Sequence, residues 1–448
     1  MEAGRRGESG RSVKTLHRLV NRLNDAGPFV FLTPCISVIG NCSEELLFGL
    51  IRARRENKQL VILYPYDLPW KFRFPLTNRE IFDVASSHRR EVPAPLLAFA
   101  RLALTALYGP LRALSLVLGK ILGPRAHLHG RFTHPCLGDT TLWKPEEEPA
   151  EFRWEIVDRY RWTEELQKPL AVGLKPGKRA RAHAARLEMG LPESAWFAGL
   201  HVRESGFYND HRSSACRNAT IANYLPLIRE ITARGGWVVR LGDKSMTPLP
   251  MMERVIDYPH TRFKSDLMDL YLLSECRFYV GMSSGILDTA FLFQRPMLIT
   301  NMTNMTFVYP RRPEDRGVPK HVYSKSKKRF LSLREILDAP WDAQHFRTLG
   351  ADFELFENAP DELREAAVEF IDGLDRGPSS PTPLQAAANR LRVEQGRRLI
   401  GSVLFDDHYD DMHNRYRMAS RLESARGCLS RSFVENNWER SARSSAIL

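Results

Sequence analysis

WFAGLHVRESGFYNDHRSSACRNATIANYLPLIREITARGGWVVRLGD runs from Trp196 to Asp243, and RFYVGMSSGILDTAFLFQRPMLITN runs from Arg277 to Asn301. Together they decide the fold. Ala195 to Val202 is apolar and reads as a buried strand. After it, Ile221, Tyr224, Leu225, Ile228 and Ile231 fall on one helical face, with Asn218 as the expected cap. Gly235-Gly236 closes that helix, as a left-handed C-terminal turn prefers. Strands follow at Trp237 to Leu241 and, more briefly, at Val255 to Tyr258. Ser265 caps a helix carrying Leu267, Leu270 and Tyr271. Arg277 to Gly281 is the next strand, Gly285 to Gln294 a helix, and Met297 to Thr300 a strand. Alternation of this kind predicts a doubly wound α/β domain with a parallel sheet.

Ligands of open α/β sheets bind beyond the carboxyl ends of the strands, so the residues just past each strand matter most. Arg203 stands there, two residues after His201 on the same strand face. A guanidinium suits a phosphate because its planar fork donates two parallel hydrogen bonds and keeps its charge. Pairing with Glu204 is the alternative task for Arg203, and His201 reads equally as a hydrogen-bonded core histidine. Ser283, Ser284 and Gly285 form a small-residue turn opening a helix, where free N–H groups favour an anion. A plain N-cap serine is the alternative there. Asp288 follows one turn on. Arg240, Gly242 and Asp243 close the Trp237 strand, with Asp243 placed to accept from a ribose or base, or simply to hold a turn. Arg217, Asn218 and Lys264 complete the set of expected phosphate or sugar contacts, and Glu204 joins His201 and Arg203 as a catalytic candidate.

Working outward, residues 1–27 read as a basic lead without the apolar core of a secretory signal. A strand near Cys35 to Ile39, a helix capped by Ser43 and running to about Glu56, and a strand from Gln59 to Tyr64 give a β-α-β start. Residues 28–190 are expected to form an N-terminal α/β domain, 195–376 a C-terminal one, and 377–448 a linker (GPSSPTP, Gly377 to Pro383) with a helical segment from Leu384 to Ile400. Val92 to Pro124 is rich in Leu and Ala, but Arg101, Arg112 and Lys120 interrupt it and Gly109-Pro110 breaks it. It is too short in uncharged run to span a bilayer, which takes ~20 apolar residues. Two amphipathic helices are expected there, packed on a core or lying on an anionic membrane surface.

The chain has 448 residues, 43% hydrophobic and 26% charged, with a formal net charge of +12. Length calls for two or three domains. The charge favours anionic partners, or is a solvated basic surface; no C2H2 spacing, RNA-recognition signature or basic block with aromatics points to nucleic acid. Six cysteines lack CxxC spacing, which argues against structural zinc and suits reduced thiols and a cytoplasmic location. No P-loop, nucleophile elbow, HExxH or GxGxxG follows a strand. Asp406-Asp407 and Asp410-Asp411 lack a preceding strand, so no metal and no cofactor is expected.

The two quoted stretches, joined by VIDYPHTRFKSDLMDLYLLSEC (Val255 to Cys276), resemble a family of bacterial glycosyltransferases known mainly by such signatures. The likeness covers His201 to Asn301 strongly, and the start near Cys35 and SRSF (Ser430 to Phe433) weakly. The H-x-R element is similar to that of GDP-fucose-dependent transferases, where the Arg binds the donor diphosphate. Position 206 is Gly, where that pattern has Asp or Asn, which points away from a fucosyl donor but not from a nucleotide sugar. The resemblance implies a GT-B architecture: two Rossmann-like domains facing across a cleft, donor in the C-terminal half and acceptor in the N-terminal half. It implies a metal-independent glycosyltransferase, hexosyl- or fucosyl-type, acting on a glycan or lipid-linked acceptor in surface polysaccharide synthesis, cytoplasmic or peripheral on the inner membrane face. An inverting transfer would need a base, with Glu44, Glu45, Asp67 and Glu204 as the choices. A GT-B-like nucleotide-sugar epimerase and a non-catalytic nucleotide-sugar-binding partner of a polysaccharide assembly are the alternatives.

Overall fold

A computed structural model of the chain describes residues 22, 24–67, 76–122, 152–159, 162–206, 215–303, 309–338, 352–377, 379–400 and 412–439. It divides into two compact units, residues 1–149 with 170–175, and residues 150–169 with 176–448.

The first unit begins with β1 (Phe29–Leu32), α1 (Ile39–Arg55) and β2 (Gln59–Ile62). β1 and β2 pair in parallel, Phe29 opposite Gln59, so the β-α-β start is present. Its first strand is not at Cys35 to Ile39, however. The run Phe29-Val30-Phe31-Leu32 supplies the alternating burial of a strand, and Pro34 cannot continue the ladder. Ser43 does not cap α1 but lies buried inside it, because the helix starts at Ile39. β3 (Ala85–Ser86) and β4 (Val172–Gly173) form a short antiparallel pair. Among the described residues these two pairs are the sheets of this unit. α2 (Ala94–Leu122) corrects a further expectation: it is one helix of 29 residues with Pro110 inside it, not two helices parted at Gly109-Pro110. A proline removes one N–H and crowds one carbonyl, at a cost of about 3 kcal/mol. Leu and Ala on both sides have strong helix propensity and carry the helix through.

The second unit starts with α3 (Trp154–Arg159), α4 (Trp162–Gln167) and α5 (Pro176–Glu188). Its centre runs through β5 (Phe197–His201), α6 (Leu225–Ala233), β6 (Trp237–Arg240), β7 (Val255–Asp257), α7 (Asp266–Glu275), β8 (Phe278–Gly281), α8 (Gly285–Leu292) and β9 (Met297–Met302). β10 (Arg316–Pro319) follows, then the antiparallel set β11 (His321–Ser324), β12 (Arg329–Phe330) and β13 (Phe353–Phe356), with α9 (Leu333–Asp338) between the last two. α10 (Pro360–Arg376), α11 (Pro383–Ile400), α12 (Met412–Ser424), β14 (Cys428–Leu429) and α13 (Arg431–Asn437) complete it. The segment beyond Gly377 thus belongs to this unit, and β14 pairs with β10 at the sheet's edge.

The main sheet has seven strands in the order β14-β10-β9-β8-β5-β6-β7, every pair parallel. Counted from β5, the first six strands read 3-2-1-4-5-6, the dinucleotide-fold order. The direction of winding therefore reverses between β5 and β8. Right-handed crossovers then send α6 and α8 to opposite faces. Contacts agree: α6 packs on α10, whereas α7 packs on α5 and α8. Covered on both faces, β5, β8 and β9 are buried at every residue.

α6 also starts later than expected. Ile221–Tyr224 is a 3-10 turn, and the α-helix proper begins at Leu225 with Pro226 in its first turn. Proline fits there because its missing N–H is one that has no helical partner. Gly235 ends the segment with φ +84°, as expected.

Candidate functional site at the strand switch point

The residues after β5 and β8 flank the point where the strand order reverses, because His201 pairs laterally with Gly281. Close approach there depends on glycine. A Cβ on Gly281 would overlap the Tyr279 hydroxyl, and one on Gly242 would overlap the Met246 sulfur. Gly242 moreover has φ +144°, which side chains rarely adopt.

His201 is buried, and its Nδ1 lies 3.2 Å from the carbonyl oxygen of Leu241. Burial lowers its pKa to about 4, with the Arg240 and Arg203 charges adding to the effect, so the ring is neutral at pH 7. A carbonyl only accepts, so Nδ1 carries the proton and Nε2 holds the lone pair. Arg203 is buried too. Its guanidinium donates to the side-chain oxygen of Asn218, its backbone N–H meets the Met282 sulfur at 3.1 Å, and its carbonyl accepts from the Ala219 N–H at 3.0 Å.

Asn218 therefore does not cap a helix; it links Arg203 to a second cation. Lys320, directly after β10, donates its ammonium to the Asn218 carbonyl at 2.7 Å. It is buried, and desolvation lowers its pKa, against the pull of the Glu357 carboxylate. Nothing in the periodicity marked Lys320, since it sits between two four-residue strands that are too short to read from sequence. Half-buried Arg217 closes the 3-10 turn Ala215–Arg217 just before Asn218.

Across the switch point stands the start of α8. Ser284 is its N-cap residue, with extended φ −153° and ψ 162°, but its hydroxyl caps nothing. Ser283 is 5% exposed. The Oγ atoms of Ser283, Ser284 and Thr303 and the Tyr279 hydroxyl are buried without a hydrogen-bond partner of ordinary geometry. Of these, Tyr279 and Ser284 have each other, through a side-chain hydrogen bond that works against the burial pushing the Tyr279 pKa far up. Buried hydroxyls normally find partners, so a group of orphans at adjoining strand ends is a departure. Asp288 accepts from Arg311 Nη2 at 3.1 Å, and that guanidinium lies over the Phe291 ring. Beside this group, Thr300, Tyr224, Asn301 and Asn358 are hydrogen-bonded to one another in a closed buried network, in which burial raises the Tyr224 pKa to about 12. Asn301 takes φ +47° there, which asparagine tolerates.

Other expected site residues meet one another instead. Glu204 accepts from Arg240 Nη2 at 2.7 Å and from the Thr247 N–H and hydroxyl, each at 2.8 Å. Arg240 is fully buried, donates to the Thr247 carbonyl, and lies 3.5 Å from Asp257. The pair fastens the loop after β6. Asp243 accepts from the Ser245 N–H at 2.8 Å in a local turn. Lys264 grips both oxygens of Asp269 beside Tyr258, beyond β7 and away from Arg203 along the sheet. In the first unit Glu44 and Glu45 are buried in α1, with Glu45 accepting from the Cys35 N–H at 2.7 Å, and Asp67 pairs with Arg79 at 2.8 Å.

Among the described residues, no three or more His, Cys, Asp or Glu side chains gather as a metal would require. Asp406, Asp407, Asp410 and Asp411 lie outside the described residues. A separate hollow of about 360 Å³ is lined by Arg329, Arg334, Glu335 and Glu439, which are paired with each other.

No family model and no curated protein matches the chain. Among solved structures it is similar to a glycosyl transferase family 9 protein from Veillonella parvula DSM 2008, at 10% identity and TM-score 0.33, over 61% of this chain and 80% of that one.

Proposed function

We propose that the protein is a glycosyltransferase that binds a nucleotide sugar across the carboxyl ends of β5 and β8. One observation carries this reading: the switch point of the sheet is flanked by buried Arg203 and by a helix start where the Ser283 hydroxyl has no partner and the Ser284 hydroxyl caps nothing. The donor diphosphate lies against the first turn of α8, held by Ser283, Ser284 and the Gly285 N–H. Arg203, with Lys320 behind it through Asn218 and Arg217 adjoining in sequence, neutralises charge as the nucleoside diphosphate leaves. Asp243 and Gly242 border the nucleoside end, and Asp288 faces the sugar side.

Within this reading His201 contributes the lone pair of Nε2, and a neighbouring diphosphate would draw its pKa upward. Glu204 acts through Arg240 by holding the β6 loop. Charge neutralisation by protein cations needs no metal and no bound cofactor. The acceptor is a glycan or lipid-linked sugar, as in surface polysaccharide synthesis.

The test is a thermal-shift screen against GDP-, UDP-, CMP-, ADP- and dTDP-sugars, with and without magnesium. A ligand that binds only the folded protein raises its stability. A metal-independent rise for one nucleotide, lost in Arg203→Ala, is the expected result. Intact donor binding and turnover in Arg203→Ala would sink the assignment. Interconversion of free nucleotide sugars without an acceptor would mean an epimerase.

A further inference from the structure

Ten large apolar side chains stand exposed among the described residues, and seven of them belong to α2. They fall on one face. At about 100° per residue, Leu96, Phe99, Leu102 and Leu107 project within an arc of roughly 140°. Leu114, Val117 and Ile121 continue the same stripe along the second half of the helix. Phe99 is 70% exposed and Ile121 72%.

The opposite side of α2 is the side that holds the first unit. Arg101 stacks over the rings of Tyr64 and Tyr66 at 4.5 and 4.1 Å, and Thr105 accepts from the Tyr66 N–H at 2.9 Å. Arg101 and Thr105 lie about half a turn from the centre of the apolar arc. A core-facing helix buries its apolar stripe and exposes its polar one. The exposed stripe of α2 is apolar instead, and the described residues of the first unit leave it uncovered.

Charge says what covers it. From Val92 to Gly138 the sequence carries Arg101, Arg112, Lys120, Arg125 and Arg131 and no Asp or Glu. Of these, Lys120 stands exposed at the edge of the stripe, and a second copy laid on the same face would bring its own Lys120 and no acid to answer it. An anionic lipid surface offers both an apolar interior and counter-charge. Among the described residues no helix is long and apolar enough to cross a membrane, so α2 lies in the interface plane. We infer that the outward face of α2 is a docking surface for an anionic bilayer, with Phe99 and the leucines inserted below the headgroups and Lys120 at their level.

Flotation of the full chain decides this, using vesicles of phosphatidylcholine alone or mixed with phosphatidylglycerol. The wild type is expected to float with the anionic vesicles at low salt, and about tenfold less with neutral vesicles or at high salt. Phe99→Glu with Leu102→Glu is expected to lose about tenfold in bound fraction, while Leu187→Glu on α5, also at an exposed leucine, changes nothing. Circular dichroism establishes that the variants fold, and Ile121→Glu at the far end of the stripe serves if the double variant does not. The proposal is overturned if the wild type fails to float with anionic vesicles, or if the folded variants float as well as it does. A dimer that Phe99→Glu dissolves, without any flotation, would assign the face to a second copy and overturn it equally. None of these readouts depends on the donor-site reading.

Discussion

α7 and α8 open on the same residue in the same backbone shape. Ser265 has φ −159° and ψ 160°, and Ser284 has φ −153° and ψ 162°. At α7 the serine hydroxyl accepts from the Met268 N–H at 3.3 Å. Asp266 and Asp269 then stand in the first turn, complementing the positive helix end. Asp269 in turn holds Lys264 and the Tyr258 hydroxyl. At α8 the hydroxyl caps nothing, and the one acid of the first turn, Asp288, accepts from Arg311. One helix start is satisfied by its own residues. The other leaves the Ser283 hydroxyl without a partner and the Ser284 hydroxyl uncommitted to its helix, at the switch point of the sheet. The difference separates a structural cap from a candidate ligand site more sharply than the serine itself does.

The largest expected effect concerns how dry the α8 side is. His201, paired laterally with Gly281, titrates near 4 in the folded state because burial disfavours its charged form, against 6.5 for an ordinary histidine. Below 6.5 the unfolded chain binds a proton that the folded one refuses. Stability is thus full above pH 6.5 and declines as pH falls towards 4, by about 3 kcal/mol. His201→Gln keeps a donor for the Leu241 carbonyl and removes the titration. Urea unfolding of both proteins from pH 7.5 to 4.5 should give a steeper acid loss for the wild type. Parallel curves would mean that water reaches the ring and that the two helix starts are less different than they look.

Next in size is the response of ligand affinity to the cation beside each helix start. A hydrogen bond to a charged group contributes roughly 1.5–3 kcal/mol, so Arg203→Ala should weaken nucleotide-sugar binding about 10- to 100-fold by calorimetry. Lys264→Ala, beside the satisfied α7 start, should change affinity by less than about twofold, because its charge is already committed to Asp269. Equal losses in the two variants would erase the contrast.

Much of this was legible in the sequence. From Phe197 to Met302 the apolar strands, the Ser265 cap, the Gly235 stop and the α8 turn all follow from local pattern, because each buried parallel strand is a short apolar run closed by a turn signal. Parallel winding around β5 brings His201 to Gly281 as the order of elements requires. What escaped depended on the absence of local signal. β10 and β14 are four and two residues long, so Lys320 had no strand to mark it. Asn218 looked like a cap, and Pro226 moved the helix start downstream of it. Arg240 and Glu204 stand at strand ends, where the sequence places ligand contacts; their mutual pairing is tertiary and no spacing announces it. Pro110 looked like a break because the local penalty was visible, whereas the tolerance of a long Leu- and Ala-rich helix was not.

The smallest effect is the most direct test of the comparison. Replacing an N-cap serine by alanine normally costs about 1 kcal/mol. Ser265→Ala should show that loss in urea unfolding and leave nucleotide-sugar affinity intact, since its hydroxyl serves the Met268 N–H. Ser284→Ala should do the opposite. It removes a hydroxyl that caps nothing, so stability should stay within about 0.5 kcal/mol or rise slightly, while affinity falls by the few-fold expected of one neutral hydrogen bond. Ser283→Ala should behave like Ser284→Ala, because burying an unpartnered hydroxyl is itself unfavourable and its removal relieves that cost. If Ser284→Ala instead loses stability as Ser265→Ala does, its hydroxyl is a working cap in solution. The start of α8 would then be satisfied from within, and the anion site would rest on Arg203 alone.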